Sequence, residues 1–410
     1  MKKKILSLLL AMLLLCQVFA LVSCDDTSDT PSDETQPILI TNNDNGEQGG
    51  EEGGGENSEQ TQPSKIKNLI LIIGDGMGLE HIAAGELFEE KDYAFTNWQF
   101  TSSNTDSIST SGIGGVLTDS AAGGTALATG HLTVNNYIGK DYKGADVTTI
   151  LDLAKNTYGK STGVVTTDAL YGATPSAFSA HNISRSNYDD ILISQLTSGV
   201  DLLCGSTDSK CTSKQAQIAS AGYAYCDDFS KISSIMPADK TYWQFNLAGT
   251  SASVQLKDAA VQACTYLDQD KDGFVLMIEQ AHIDKYSHDN DFYGVVSSVK
   301  SLNDTVDALL AWLGDRTDTA ILITADHETG GLSVSTQNVF AKRYSIRKDL
   351  WYAFSSTGHT NAKVGVFVYG IEPDFSKLSY YGSQHVIKNI DVYNLMADVM
   401  QNPDAYRKAA

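Results

Sequence analysis

The sequence predicts an α/β fold, a layered α/β/α arrangement in which helices cover both faces of a central, largely parallel sheet. Continuous apolar runs, typical of strands buried on both faces, alternate along the chain with amphipathic helical stretches. Such alternation favours parallel strands joined by helical crossovers. Residues 65–410 contain no internal repeat and no second linker, so we expect them to form one domain.

The predicted strands lie at residues 68–73, 163–167, 274–278, 320–324 and 364–369. The predicted helices lie near residues 148–156, 253–267, 290–314 and 389–400. Three strands lead directly into polar residues, namely Asp75, Glu279 and the pair Asp326-His327. A single such Asp is usually a turn or cap residue. Because ligand sites gather at the carboxyl ends of strands in open α/β sheets, three together predict a site at that edge.

The N-terminal residues predict export. Lys2, Lys3 and Lys4 precede an apolar stretch at residues 5–22, which is the pattern of a secretory signal. The stretch ends in Leu21-Val22-Ser23-Cys24, which resembles the lipobox of bacterial lipoproteins. The resemblance implies a signal peptide at residues 1–23 and a lipid on Cys24 that anchors the protein to an extracytoplasmic membrane face, at the cell surface or in a periplasm. The alternative is an uncleaved anchor, since about 18 apolar residues can just span a bilayer.

Residues 24–64 are predicted to be an acidic disordered tether, because residues 25–64 hold 11 acidic and no basic side chains. The whole chain of 410 residues has 29 Lys and Arg against 50 Asp and Glu, a formal net charge of −21. This balance argues against nucleic acid as a partner, which would require a basic surface.

The predicted domain contains four cysteines, namely Cys204, Cys211, Cys226 and Cys264. They could form two disulfides in any of three pairings, or they could remain as buried thiols, and the sequence leaves both alternatives open.

Several polar residues have the spacing of metal ligands. Asp284 and His288 are four residues apart, so on a helix they face the same way. The pair Asp326-His327 adds a second carboxylate and imidazole, and His359 lies in a loop. Mixed His and carboxylate ligands suit zinc, whereas oxygen ligands alone suit magnesium.

Ser120 lies in a run of small residues, Asp119-Ser120-Ala121-Ala122-Gly123-Gly124, that is predicted to open a helix. A serine there is either the N-cap or a nucleophile at an anion-binding helix terminus. The run is not a G-x-S-x-G elbow, which disfavours an α/β-hydrolase triad.

In chain order these residues resemble the motifs of the alkaline phosphatase family over about residues 66–370. The matching positions are Asp75, the Asp-Ser-Ala-Ala motif with Ser120, Thr174 with Arg185 eleven residues on, Glu279 with Asp284 and His288, Asp326-His327, and His359. The resemblance implies hydrolysis of small-molecule phosphate monoesters to alcohol and inorganic phosphate through a phosphoserine intermediate. Members commonly form homodimers, and the sequence leaves the oligomeric state open.

The resemblance also implies the ligand sets. One zinc is held by Asp284, His288 and His359, and a second zinc by Asp75, Asp326 and His327 with a contact to Ser120. A magnesium is held by Asp75, Thr174 and Glu279 with waters. Arg185 grips the non-bridging oxygens of the phosphoryl group as a bidentate donor.

One position departs from the family pattern. Gly172, two residues before Thr174, stands where the family often has Asp or His. That side chain helps to order the water shell of the magnesium, so its absence leaves the identity and affinity of the third metal open. Lys285 matches one branch of the family and would usually pair with the missing acid; the alternative is that it reaches the phosphate through water.

Three other interpretations are less favoured by the sequence. Residues 268–279 satisfy the calcium-loop pattern D-x-D-x-D-G-x5-E, but the apolar Leu276 at the ninth position favours a turn leading into a buried strand. Phosphodiesterases and nucleotide pyrophosphatases of the wider superfamily usually have a threonine nucleophile and lack the third site. The residues that favour a monoesterase are Ser120, Thr174, Arg185 and Glu279. A tethered binding lipoprotein without catalysis is disfavoured by the intact ligand set.

Overall fold

The computed structural model describes residues 65–406, except 109–113, 236–239, 250–251, 338–343, 348, 376–377 and 379–385. The predicted signal peptide, Cys24 and the tether therefore lie outside the described residues. Residues Thr61–Ala410 cluster as one compact unit. No helix among the described residues combines the length and the apolar character needed to cross a bilayer.

The strands of the described residues are β1 (Asn68–Gly74), β2 (Gln99–Asn104), β3 (Asp106–Ile108), β4 (Gly114–Leu117), β5 (Ser161–Thr166), β6 (Leu202–Ser206), β7 (Ala224–Cys226), β8 (Thr241–Phe245), β9 (Phe274–Gln280), β10 (Thr319–Thr324), β11 (Glu328–Thr329), β12 (Leu332–Ser335), β13 (Tyr344–Arg347), β14 (Leu350–Phe354), β15 (His359–Thr360), β16 (Val364–Tyr369) and β17 (Val386–Lys388).

The α-helices of the described residues are α1 (Leu79–Glu89), α2 (Ser120–Thr129), α3 (Ile150–Tyr158), α4 (Ala173–Ser179), α5 (Tyr188–Thr197), α6 (Ser209–Thr212), α7 (Gln215–Ser220), α8 (Ile232–Ile235), α9 (Leu256–Leu267), α10 (His282–His288), α11 (Phe292–Leu313) and α12 (Ile390–Gln401). Two short 3-10 helices lie at Ala94–Asn97 and Phe229–Lys231.

Among the described residues, the central sheet has ten strands in the order β17-β2-β16-β10-β1-β9-β5-β6-β8-β7. Its pairings are parallel except for those that β16 makes with β10 and β2, so β16 alone runs against the other nine. The five predicted strands correspond to β1, β5, β9, β10 and β16, which confirms the largely parallel α/β sheet. Strand β16 is the exception to that direction, and its start lies at the edge where the parallel strands end.

Two apolar layers enclose the sheet and explain the continuous apolar runs. In β1, Ile70 and Ile72 pack into one core, while Leu69, Leu71 and Ile73 pack into the other. Because successive side chains of a strand point to opposite faces, a strand covered by helices on both sides has no position left for solvent. All seven residues of β1 and all seven of β9 are buried.

Helix α2 is buried along its whole length, which explains its small residues. Its N-cap is Asp119, whose carboxylate accepts a hydrogen bond from the Ala122 N–H at 2.9 Å. The interpretation of Ser120 as the N-cap is therefore wrong: Ser120 is the first helical residue, and the carboxylate of the extended Asp119 accepts from the free N–H instead. A Cβ on Gly123 would lie 2.6 Å from the carbonyl oxygen of Asp326, so glycine lets the helix approach β10.

All four described cysteines are free and buried. Cys204 in β6 and Cys226 in β7 are both in register with Trp243 on the intervening β8. Two strand spacings, about 9.5 Å, therefore separate them. That separation exceeds the roughly 7 Å that a disulfide can span, so Cys204 and Cys226 behave as small apolar side chains.

The Gly123→Ala variant should be destabilised by about 1–3 kcal/mol, because the added methyl group meets the Asp326 carbonyl. Helix propensity alone predicts the opposite change in the free energy of unfolding, because alanine is the better helix former by about 1 kcal/mol. Urea unfolding followed by circular dichroism measures the change. Gly124→Ala, the matched control, places its Cβ 3.2 Å from the methyl group of Ala177 and should lose less. A Gly123→Ala variant at least as stable as Gly124→Ala would contradict the close approach.

Candidate active site

The three predicted strand-end carboxylates meet at one edge of the sheet. Asp75 follows β1, Glu279 is the penultimate residue of β9, and Asp326 follows β10. Ile73 in β1 is in register with Glu279 on one side and with Thr324 on the other. The parallel register therefore delivers all three acids to the same level.

A first group of possible metal ligands comprises Asp284, His288 and His359. The Nε2 atoms of His288 and His359 lie 3.3 and 3.6 Å from Asp284 Oδ1. The other ring nitrogens contact backbone carbonyls: His288 Nδ1 lies 2.6 Å from Thr357 O, and His359 Nδ1 lies 2.8 Å from Thr118 O. An Nδ1–H donated to each carbonyl fixes the ring and leaves Nε2 free as a ligand atom.

A second group comprises Asp75, Asp284 and His327, so Asp284 belongs to both groups. His327 Nε2 lies 3.4 Å from Asp75 Oδ1 and 3.4 Å from Asp326 Oδ2. The His327 ring stacks on His359 with centroids 3.6 Å apart, which places the groups side by side. The grouping differs from the expected set by including Asp284, while Asp326 and Glu279 lie outside both close groups.

Unpartnered buried oxygens indicate that this donor set suits cations. Asp75 Oδ1, Asp326 Oδ2 and Thr174 Oγ1 are buried and have no hydrogen-bond partner among the described residues. Buried polar atoms are rarely left without a partner, because the loss of water costs free energy. A divalent cation would satisfy carboxylate and hydroxyl oxygens together, so the residues present fit bound metal ions.

The pKa values of the buried acids also indicate that this cluster requires cations or protons. Burial, followed by the charge of Asp284, raises the pKa of Asp326 to about 7. Burial and the charge of Asp168 raise the pKa of Glu279 to about 8, and burial and Asp326 hold that of Asp75 well above its usual value. Burial lowers the pKa of His327 to about 3. Without cations, the cluster therefore keeps protons that its carboxyl groups would release in water.

Asp284 is the exception among these acids. Burial opposes its ionisation, but the hydrogen bond from His288, the nearby His327 and the hydroxyl of Thr329 hold its pKa below the usual range. Thr329 Oγ1 donates to Asp284 Oδ1 at 2.6 Å. The hydrogen bond between His288 and Asp284 raises the pKa of His288 to about 9. Asp284 is thus the carboxylate that stays ionised between the two groups.

Ser120 and Arg185 lie beside the ligand groups. Ser120 Oγ is 3.1 Å from His327 Nε2, and its residue is only 4% exposed at the N-terminus of α2. Arg185 donates from Nη1 to Asp119 Oδ2 at 3.2 Å, and its side chain is 35% exposed. Asp119 therefore holds the arginine next to the serine that follows it. This role of Asp119 was not predicted from the sequence, although Asp119 belongs to the motif that identified Ser120.

The calcium-loop pattern does not form a calcium site. Both Asp268 carboxylate oxygens accept hydrogen bonds from Arg316 at 2.7 Å. Glu279, the twelfth position, lies at the far end of β9, about 20 Å of extended strand from Gly273. The first and last acids of the pattern therefore cannot reach one ion.

The sequence model of the alkaline phosphatase family matches residues 66–215 and 239–399. Alkaline phosphatase 4 of Bacillus subtilis strain 168 is 34% identical over 306 residues, which are 68% of this chain and 64% of the relative. Alkaline phosphatase 3 of the same organism is 32% identical over 303 residues, 67% of this chain and 64% of the relative. The chain thus spans slightly less than two thirds of the length of these relatives.

Solved structures give the same result. Alkaline phosphatase from the Antarctic bacterium TAB5 superimposes with a TM-score of 0.72 and 25% identity, covering 83% of this chain and 99% of that chain. A mutant of that enzyme with magnesium bound in its M3 site has a TM-score of 0.70 over the same shares of the chains. The family match, which covers most of the chain, and the shared fold lead to one conclusion: the chain belongs to the alkaline phosphatase family.

Proposed function

We propose that the chain hydrolyses phosphate monoesters to an alcohol and inorganic phosphate through a phosphoserine intermediate on Ser120. The observation that carries the proposal is the position of Ser120 Oγ, 3.1 Å from His327 Nε2 and beside two close groups of ligand atoms. The family supports the reaction class. Phosphate monoesters are highly charged, so their hydrolysis depends on positioning and charge neutralisation.

The chain's own residues divide the work. Arg185, held beside Ser120 by Asp119, donates two N–H groups to the non-bridging oxygens of the phosphoryl group. Ser120 Oγ loses its proton and attacks phosphorus, while the ester oxygen leaves with the electron pair of the broken P–O bond and takes up a proton to form the alcohol. Water then attacks the phosphoserine, which releases phosphate and returns the hydroxyl. The buried N-terminus of α2 favours the negative charge that develops at Ser120.

We further propose two zinc ions and one magnesium ion. Zinc would be held by Asp284, His288 and His359, and by Asp75, Asp326 and His327 next to Ser120. Magnesium would be held by Asp75, Thr174 and Glu279, which offer oxygen atoms only. Bound zinc would favour the ionised serine and stabilise the leaving oxygen.

Ser120→Ala should abolish the covalent intermediate and lower kcat by a thousandfold or more, roughly 4 kcal/mol of barrier. Acid quenching of the zinc- and magnesium-loaded protein with a ³²P-labelled monoester measures the phosphoenzyme. Ser298→Ala, which removes another buried serine, is the matched control and should keep the label. Label retained by Ser120→Ala would move the nucleophile elsewhere, and turnover of phosphodiesters faster than monoesters would identify a diesterase instead.

The metal-depleted protein should lose thermal stability as the pH rises from about 7 to about 9, a range in which His81, His282 and His327 are largely neutral in both the folded and the unfolded chain. The folded-state pKa values of Asp326 and Glu279, about 7 and about 8, exceed the values near 4 of the unfolded chain. The folded chain therefore holds protons that the unfolded chain has released, and the stability this provides is lost as the pH passes the folded values. Scanning calorimetry in EDTA measures the decline.

Zinc and magnesium should remove this decline, because bound cations replace the protons. Asp326→Asn should flatten the metal-free profile, while Asp304→Asn, which alters a surface pair with Lys300, should leave its slope unchanged. A metal-free Tm that rises over this range would contradict the protonated cluster.

We also propose that the protein is exported and lipid-anchored, with cleavage before Cys24. The support is the lipobox-like sequence at residues 21–24 and the acidic stretch that follows it. Metabolic labelling with a fatty acid should label the wild-type chain and place it in the membrane fraction, and Cys24→Ser should lose both properties. Cys16→Ser, in the segment to be removed, is the control and should keep them. Equal labelling of Cys24→Ser would contradict the anchor.

A further inference from the structure

The space beside Gly172 is filled by another acid. A Cβ built on Gly172 would lie 2.7 Å from Asp168 Oδ2 and 3.1 Å from Asp168 Cγ. Gly172 has φ −53° and ψ 155°, a conformation open to any residue, so its backbone does not require glycine. The carboxyl group of Asp168 is what excludes a side chain at position 172.

Asp168 is fixed in this place by several contacts. Lys285 Nζ lies 2.5 Å from Asp168 Oδ1, and the Ala169 N–H donates to the same oxygen at 2.9 Å. Both donors engage Oδ1, whereas Oδ2 is the atom nearest to the space beside Gly172. Lys285 therefore pairs with an acid after all, supplied four residues earlier than the family pattern expects.

Asp168 is also linked, through Thr166, to the proposed magnesium ligand Glu279. The Asp168 N–H donates to Thr166 Oγ1 at 2.8 Å, and the same hydroxyl donates to Glu279 Oε2. One side chain thus connects both acids. The charge of Asp168 is the largest influence after burial on the pKa of Glu279, which places the two carboxyl groups close together. Gly172, in turn, is the N-cap of α4, whose second residue is Thr174.

We propose that Asp168, balanced by Lys285, replaces the side chain missing at position 172 and orders the water shell of the cation at Asp75, Thr174 and Glu279. The inference rests on the proposed function only for the existence of this third cation site. With Asp168 included, all the side chains proposed for this site offer oxygen atoms only and none offers nitrogen or sulfur. Such a set favours magnesium over zinc. Asp168 is a positioning residue, because it acts through water on the ion.

A purely structural ion pair predicts something different. Asp168 and Lys285 have side chains 30% and 44% exposed, and such pairs contribute about 0–1 kcal/mol to stability. If the pair only joined β5 to α10, its removal would change stability slightly and leave ion binding intact. Magnesium affinity therefore distinguishes the two roles.

The test titrates zinc-loaded protein with magnesium by isothermal calorimetry, with metal content measured after dialysis. Asp168→Asn should keep two zinc ions and weaken magnesium binding about 10–100-fold, the usual cost of removing an outer-shell partner. Asp189→Asn, which alters the exposed pair with Lys214, is the matched control and should bind magnesium as the wild type does. Unchanged affinity in Asp168→Asn would overturn the proposal, as would a zinc-loaded wild type that binds no magnesium.

An exchange of positions gives a second, independent measurement. Asp168→Ala frees the space at position 172, so Asp168→Ala with Gly172→Asp should recover at least tenfold of the magnesium affinity lost in Asp168→Ala. Gly172→Asp alone should not improve affinity, because its Cβ would meet the Asp168 carboxyl group. A double variant no better than Asp168→Ala would count against the replacement.

The two proposals fail separately. Asp168-dependent magnesium binding in a protein that does not hydrolyse monoesters would support this inference and refute the proposed function. Hydrolysis of monoesters, together with magnesium binding that does not depend on Asp168, would support the proposed function and refute this inference.

Discussion

The repulsion between carboxyl groups held together in a buried edge is the constraint on which the rest of this structure depends. β1, β9 and β10 are neighbours in parallel register, so Asp75, Glu279 and Asp326 arrive at one level and are buried. Such an arrangement is unfavourable unless protons, cations or donors offset it. The surrounding groups supply donors: the Gly76 N–H to Asp326, Thr166 to Glu279, and Thr329 to Asp284.

Close approach of backbone is the second requirement of this edge. Gly76, with φ 72°, would place a Cβ 2.9 Å from the Cα of Asp284, and a Cβ on Gly123 would lie 2.6 Å from the carbonyl oxygen of Asp326. These glycines let the turn after β1 and the helix that carries Ser120 reach the acids. The small residues of α2 therefore set the distance between Ser120 and His327.

The parts of this structure that depend on local pattern were predictable from the sequence. Buried strands are continuous apolar runs, and polar residues that share one face of a helix, such as Asp284 and His288, are four residues apart, so both leave a signal in a short window. The acidic partners of Lys285 and Arg185 leave no such signal in the sequence. Asp168 follows a strand like many turn residues, and only the fold shows that its carboxyl group fills the space left by Gly172. The same holds for the carbonyls that orient His288 and His359.

The antiparallel direction of β16 has a consequence for the durability of the fold. His359 precedes that strand, whereas Asp284 and His288 belong to α10 after β9, so a cation shared by the three would join chain segments about 70 residues apart. The described cysteines are all free and provide no covalent cross-link. A disulfide that closes a loop of this length stabilises a protein by roughly 4 kcal/mol. A tightly held ion would act as an equivalent cross-link. The supply of metal would then govern how long the protein stays folded as well as whether it is active.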